Sequence, residues 1–301
     1  MTQQETLLNL IYKSGAVSIW DNRKGPVFWY AAGVPGPFYC NTEKLIGSDA
    51  AATLLDNMNK ALAAGGTATD KQARIKSLVM AEYAVNDDFK TLVRFLVEKA
   101  KSGFDVEPDF ISGGERRDWI FSFPVAQEMG LQHIAMFKNG DISFDPDGHP
   151  VIQGKNILHV SDLVNNAASF FDLWIPILER HGAKPYGSLS LVNRGRKGMD
   201  KLEDAGLQAV SLISIDSDFF NQSVQSNLIG TSQFDEIELY YASQREWAEK
   251  YIVTNADIFQ AELLEEKSRK RMESFFANDP WDLKSLGSFF EETAKKLGIA
   301  K

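Results

Sequence analysis

The sequence predicts an α/β protein in which a parallel sheet is flanked by helices and a helical extension follows. Two observations predict it. Beyond Pro108, short apolar runs end in polar or glycine-bearing turns, and each is followed by a segment of helical period, which is the alternation of βαβ units on a parallel sheet. From about Phe234 strand signals cease, and a charged, aromatic-bearing helical pattern continues almost to the end, broken at Asn278-Asp279-Pro280.

Taken in order, apolar residues recur at helical spacing from Thr6 to Tyr12, and Ser14-Gly15 supplies a stop. The stretch from Lys24 to Asn41 is rich in Gly, Pro and aromatics. It reads as a hairpin or flap, with VFWYA and PFYCN as strands split by GVPG. Ser48 is expected to cap a helix through LLDNMNKAL, and after AGGTATD one or two further helices reach Lys101. The sheet strands are expected at DFIS, HIAMF, NILHVS, GSLSLV and AVSLIS, with intervening helices beginning near Trp119, Asn166 and Gly198. The mixed charges at Glu265, Glu266, Lys267, Arg269, Lys270 and Arg271 read as a solvated helix face.

Composition narrows the function classes. The net charge of -9 argues against a nucleic-acid binder, because such binding rests on Lys and Arg neutralising phosphates. No tract is apolar and long enough to span a bilayer, so no membrane partner is expected. The first residues lack the features of a secretory signal, and a single cysteine, Cys40, forms no internal disulfide; a cytoplasmic location is the expectation. No Cys/His cluster has metal-ligand spacing.

Two turns carry the chemistry. In ILHVSDLVNNAAS a buried strand ends in Ser161-Asp162, and a helix follows. The Asp162 carboxylate there would accept hydrogen bonds from sugar hydroxyls, while free amides over Asn165, Asn166, Ala167, Ala168 and Ser169 would face a phosphate with the helix dipole behind them. The alternative is that Asp162 is a turn or capping residue in a ligand-free loop. In SGGERR, Gly113 and Gly114 would free the backbone to approach an anion. Glu115 lies in the same turn, and Arg116 and Arg117 would make charge-assisted bonds to the oxygens of that anion, a diphosphate. A plain strand-to-helix turn with solvated arginines is the alternative. Lys138, at the next strand end, could contact the same anion or be an ordinary surface lysine. Phe38 and Tyr39 could stack on a base or be buried flap aromatics. His133 and His159 lie within strand patterns and read as core or supporting residues, and Trp119 and Trp174 as packing residues.

These segments together resemble the type I phosphoribosyltransferases, and most closely in pattern the orotate phosphoribosyltransferases. ILHVSDLVNNAAS aligns without a gap with that family's strand, acid pair and Thr-Thr-Gly-Gly-Thr/Ser turn. Asp162 falls on the second acid and Ser169 agrees. Ser161 replaces the first acid, Asn165-Asn166 the threonines and Ala167-Ala168 the glycines. EPDFISGGERRDWIFSFPVAQEMGLQHIAMFK resembles the strand, diphosphate loop, helix and next strand. In LSLVNRGRKGMDKLEDAGLQAVSLISID, Asn193 replaces the Asp of an Asp-Arg pair and Arg194 remains. LLNLIYKSGAV and GPFYCNTEKLIGS resemble the N-terminal hood that covers the base. The likeness spans roughly Thr6 to Phe220, which gives residues 1–230 as a phosphoribosyltransferase-like domain with its hood and 231–301 as the helical extension.

The resemblance implies a glycosyltransferase of pyrimidine nucleotide biosynthesis. Such a protein binds 5-phosphoribosyl 1-diphosphate or a nucleotide with Mg²⁺, transfers the phosphoribosyl group to a base such as orotate, and works as a homodimer. Asp162 and Lys138 would be its catalytic residues. The segment after Lys138 argues the other way: Asp141, Asp145 and Asp147 outnumber the cations Lys138 and His149 where family members carry a basic loop, and Ala31-Ala32 stand about where a lysine is expected. The second reading is therefore an inactive binding or regulatory protein of the same fold.

Overall fold

The computed structural model describes residues 2–21, 27–144, 150–252 and 266–299. Asp145, Asp147 and His149 of the acidic segment, and Glu265 of the charged cluster, lie outside the described residues. Among the described residues the chain forms two compact units. One comprises Met1–Ala16 and Asn41–Asp216, the other Val17–Cys40 and Ser217–Lys301. This division interleaves the chain, whereas the sequence suggests a boundary at 230/231. Compactness follows contacts rather than chain order, and the flap expected within the α/β domain is grouped with the C-terminal helices.

The first unit starts with α1 (Gln3–Ser14), whose Thr2 side chain and Glu5 form a reciprocal capping box and whose end is set by Gly15 at φ 69°. Helices α2 (Ser48–Ala63), α3 (Ala68–Val85) and α4 (Asp87–Ser102) follow. Ser48 is not the cap of α2: the cap position is Gly47, and the Ser48 hydroxyl donates to the Ser14 carbonyl at 3.0 Å. Thr67 and Asn86 cap α3 and α4 through their side chains.

The sheet strands are β5 (Phe110–Gly114), β6 (Gln132–Met136), β7 (Ile142–Phe144), β8 (Asn156–Val164), β9 (Lys184–Asn193) and β10 (Gln208–Ser214), after β1 to β4 of the other unit. They form one six-stranded sheet in the order β10-β9-β8-β5-β6-β7. All neighbours are parallel except β7, which runs antiparallel to β6 and closes that edge. The segment expected as an acidic loop therefore begins with an edge strand, pairing Ile142 with Met136 and Phe144 with Ile134. Helices α5 (Asp118–Met129), α6 (Ile175–Arg180) and α7 (Arg196–Asp204) link the parallel strands. The connection after β8 turns helical at Ala168 and makes a wide, π-helical turn over Phe170–Trp174 before α6. One apolar cluster joins the strand residues Phe110, Ile134, Met136 and Ile157 to Ala167, Phe170 and Trp174 of that connection. The turn that the sequence marks for phosphate is thus anchored in the core.

Among its described residues the second unit contains two small antiparallel pairs. β1 (Val17–Ile19) pairs with β4 (Phe38–Cys40), and β2 (Phe28–Trp29) with β3 (Pro35–Gly36). The hairpin is thus tighter than expected: Gly33, at φ 76°, turns it, Pro35-Gly36 belong to its second strand, and FYC pairs with Val17–Ile19 instead. Its helices are α8 (Ser217–Gln225), α9 (Thr231–Ala242), α10 (Gln244–Trp247), α11 (Glu266–Asn278) and α12 (Phe289–Lys296). Aromatic rings hold this unit together, with Trp247 against Trp20, Tyr240 and Trp281, and Phe275 against Trp29, Trp281 and Phe290. Lys270 pairs with Glu266 and Arg269 with Glu273, as a solvated face would, but Arg271 instead donates to the Trp29 carbonyl at 2.6 Å.

Candidate functional site

A cavity of about 490 Å³ opens where β5 and β8, neighbours in the sheet, give way to their helices. Its walls are Glu115 to Asp118 on the β5 side, Ser161 to Leu163 and Asn165 to Phe170 on the β8 side, with Lys138, Leu173 and Trp174. Carboxyl ends of adjacent parallel strands are where open α/β sheets leave room for a ligand, because the connections run outward from there.

On the β8 side, Arg194 N–H donates to the Val164 carbonyl at 2.8 Å, and the chain then turns through Asn165 to Ser169. Ala167 adopts φ 57°, the left-handed region in which the family's pattern has glycine, and its methyl is buried. The Asn166 side chain folds back to accept from Ala168 N–H at 3.2 Å. Among the described residues the N–H groups of 166, 167 and 169 have no partner. They are the donors a phosphate would take, at the start of a helical run. Gly198 lies against this turn, where a side chain would overlap the Asn165 carbonyl.

The β5 side is held by side chains. The Glu115 carboxylate accepts from Lys138 N–H at 3.0 Å, and the Glu115–Arg116 peptide bond is cis. Arg116 donates to Asn59, and Arg117 Nε lies 3.3 Å from the buried Glu43 carboxylate. Asp118, the first residue of α5, binds both sides: Oδ2 accepts from Gly114 N–H and Oδ1 from Asp162 N–H, each at 3.0 Å. Behind it His159 places Nε2 3.4 Å from Asp118 Oδ2 and Nδ1 3.0 Å from Ser112 Oγ. The half-buried Asp162 carboxylate accepts from the Thr42 hydroxyl at 2.7 Å. Burial first, then the Asp118 charge, pushes Asp162 up to about 7, although the Thr42 hydrogen bond and Arg117 act against the rise.

Several sequence expectations meet a different geometry. Gly113 and Gly114 are buried strand residues behind the cavity. They are small for packing, because a Cβ at Gly113 would overlap Ser122 and one at Gly114 the Trp174 indole. Arg194 does not line the cavity. Phe38 and Tyr39 belong to the other unit, where Phe38 packs on Phe220 and Tyr241 and Tyr39 lies beside Phe28 and Tyr30. Trp174, expected as packing, is also a cavity wall. His133 is buried against Phe123 and hydrogen-bonded to Ser122, and burial holds it well below the usual imidazole range. Sequence reasoning missed Asp118, Thr42 and Glu43. An acid in the first turn of a helix after a strand was a signal for Asp118; Thr42 reaches Asp162 across 120 residues of chain, a pairing that local pattern does not encode.

Among the described residues no group of three His, Cys, Asp or Glu side chains is arranged to hold a metal ion, and no helix is long and apolar enough to cross a membrane. No family model and no curated protein matches the sequence. Among solved structures, the chain is similar to UMP synthase from Leishmania donovani, with a TM-score of 0.56 and 14% identity over 80% of this chain. The likeness covers 42% of that longer protein. It is also similar to an orotate phosphoribosyltransferase from Francisella tularensis, with a TM-score of 0.51 and 12% identity over 78% of this chain and 96% of that one. Identities this low speak for architecture alone, and on that ground the chain has the type I phosphoribosyltransferase fold.

Proposed function

We propose that the cavity binds a phosphorylated ribose, as 5-phosphoribosyl 1-diphosphate or a nucleotide, and that the chain transfers the phosphoribosyl group to a nucleobase such as orotate. One observation carries the reading: unpaired N–H groups of the Asn165–Ser169 turn, the Asp162 carboxylate, and the cations Arg116, Arg117 and Lys138 surround a single cavity at adjacent strand ends. In this reading the turn takes the 5′-phosphate, Asp162 a ribose hydroxyl, and Lys138 with Arg117 the diphosphate. Catalysis is then chiefly positioning and stabilisation of charge on the departing diphosphate. Mg²⁺ would arrive with the diphosphate, since that ion binds through one or two carboxylates plus phosphate oxygens and Asp162 faces the cavity. The proposal includes a homodimer in the cytoplasm, which light scattering on the purified chain tests for its oligomeric part.

Calorimetric titration with 5-phosphoribosyl 1-diphosphate and Mg²⁺, followed by an assay of orotate consumption, tests the reading. Heat of binding together with turnover abolished by Asp162→Ala is the expected result. Binding without turnover leaves the inactive binding protein for the acceptor tried, and no heat at millimolar donor removes the assignment of the cavity.

A further inference from the structure

In the sequence, the acid pair that would hold the ribose diol is half missing, because Ser161 stands before Asp162. We propose that Asp118 supplies the second carboxylate from a different element, so that Asp118 and Asp162 together grip the two ribose hydroxyls; this rests on the phosphoribosyl reading above. Ser161 does not serve in that role as it stands, since its Oγ is fully buried and without a hydrogen-bond partner among the described residues.

Asp118 lines the cavity beside Asp162 and projects from the start of α5 rather than from β8. Its orientation is fixed twice, by Gly114 N–H on Oδ2 and by Asp162 N–H on Oδ1. Each carboxylate oxygen has two lone-pair directions; Oδ1, with one N–H on it, keeps a further acceptor position, while Oδ2 also has His159 Nε2 at 3.4 Å. The side chain keeps 11% of its surface, the opening through which a hydroxyl would approach. The Asp162 N–H is bound directly by Asp118 Oδ1 at 3.0 Å and both side chains line the same cavity wall, so the two acids are neighbours there; the rise of Asp162 beside the Asp118 charge accords with it. Two adjacent acceptors match a cis-diol, which offers two O–H donors. The other charged groups around them are Arg117, held by Glu43, Arg116, which donates to Asn59, then Lys138 and Glu115 at the cavity wall and His159 behind Asp118.

The test compares ribose 5-phosphate, 2-deoxyribose 5-phosphate and inorganic phosphate by calorimetry on the full chain. The wild type should bind ribose 5-phosphate on the order of tenfold more tightly than the deoxy sugar, as expected for one hydrogen bond to a charged acceptor. Asp118→Asn should erase that preference and leave inorganic phosphate binding unchanged. A wild type without the preference, or a variant that retains it, overturns the inference; so does equal weakening of all three ligands, which marks a purely structural role. If the wild type binds phosphate but does not distinguish the sugars, only the Asp118 role falls. If it binds none of the three, the phosphoribosyl reading falls with it. Should Asp118→Asn fail to fold, a crystal structure of the wild type with ribose 5-phosphate decides: a hydroxyl within about 3.2 Å of an Asp118 oxygen supports the inference, and none there overturns it.

Discussion

The two connections that shape the cavity leave adjacent strands in the same direction, yet they are held in opposite ways. The β5 connection is rich in charge, and almost every charge has a partner: Glu115 takes Lys138 N–H, Arg116 reaches Asn59, Arg117 faces Glu43, and Asp118 takes two N–H groups. The β8 connection carries no cation from Ser161 to Ser169, and its exposed N–H groups are mostly unpaired. A ligand at β8 would displace little more than the Asn166 side chain from Ala168 N–H, whereas one at β5 must compete with several contacts already made. On the proposed reading, a phosphate on the β8 side would contribute the first binding energy, and a diphosphate on the β5 side would gain only the surplus over the Arg117–Glu43 pair.

The strongest way to break this comparison is Arg117→Ala. It leaves the buried Glu43 carboxylate without its ion pair, and about 3 kcal/mol of stability should be lost, the low end for breaking a buried pair because the guanidinium half faces solvent. Denaturant titration at neutral pH measures it. An unchanged midpoint would mean that the β5 connection is not held as described.

Asp162→Asn should have the next largest effect, and its sign depends on pH. The folded Asp162 titrates at about 7, above the roughly 3.9 of an unfolded Asp, so between those values the folded state binds more protons. Wild-type stability therefore falls as pH rises through that window, and the full penalty is present above it. The variant should be more stable than wild type by about 2 kcal/mol at pH about 8, after discounting for partial contact with solvent, with no gain near pH 4. Melting curves across that range would refute the assignment if the two proteins ran parallel.

The smallest effect sharpens the β8 side. In Ala167→Gly, relief of the left-handed strain, roughly 1–2 kcal/mol, opposes loss of a buried methyl, about 0.8 kcal/mol, and the added freedom of the unfolded chain, about 0.4–1 kcal/mol. Stability should stay within about 1 kcal/mol of wild type. Phosphate should bind a few-fold more tightly as the backbone becomes free to approach it, and isothermal titration reads that gain directly.

Periodicity and turn chemistry carried most of the fold. The five parallel strands appear where short apolar runs stop at polar turns, because a strand buried on both faces must be apolar and its ends must be able to leave the sheet. The edge strand β7 was not legible, since a strand with one free side needs little apolar pattern and Ile142 to Phe144 read as loop. The hairpin register was missed for a related reason: which of two short aromatic runs pairs with which is a long-range choice, and Val17–Ile19 supplied the partner for FYC.

The cavity turn was legible because its chemistry is local: a strand end, an acid and a run of amides lie within nine residues of one another. What the sequence determined by itself is the α/β order and the position of that turn, both consequences of period and of backbone hydrogen bonding. Only the tertiary structure decided that Gly113 and Gly114 make room for Ser122 and Trp174, that Glu43 holds Arg117, and that Asp118 stands beside Asp162. Those contacts join residues on different elements of the fold, and pairwise distance in the folded molecule is the one quantity that local spacing does not carry.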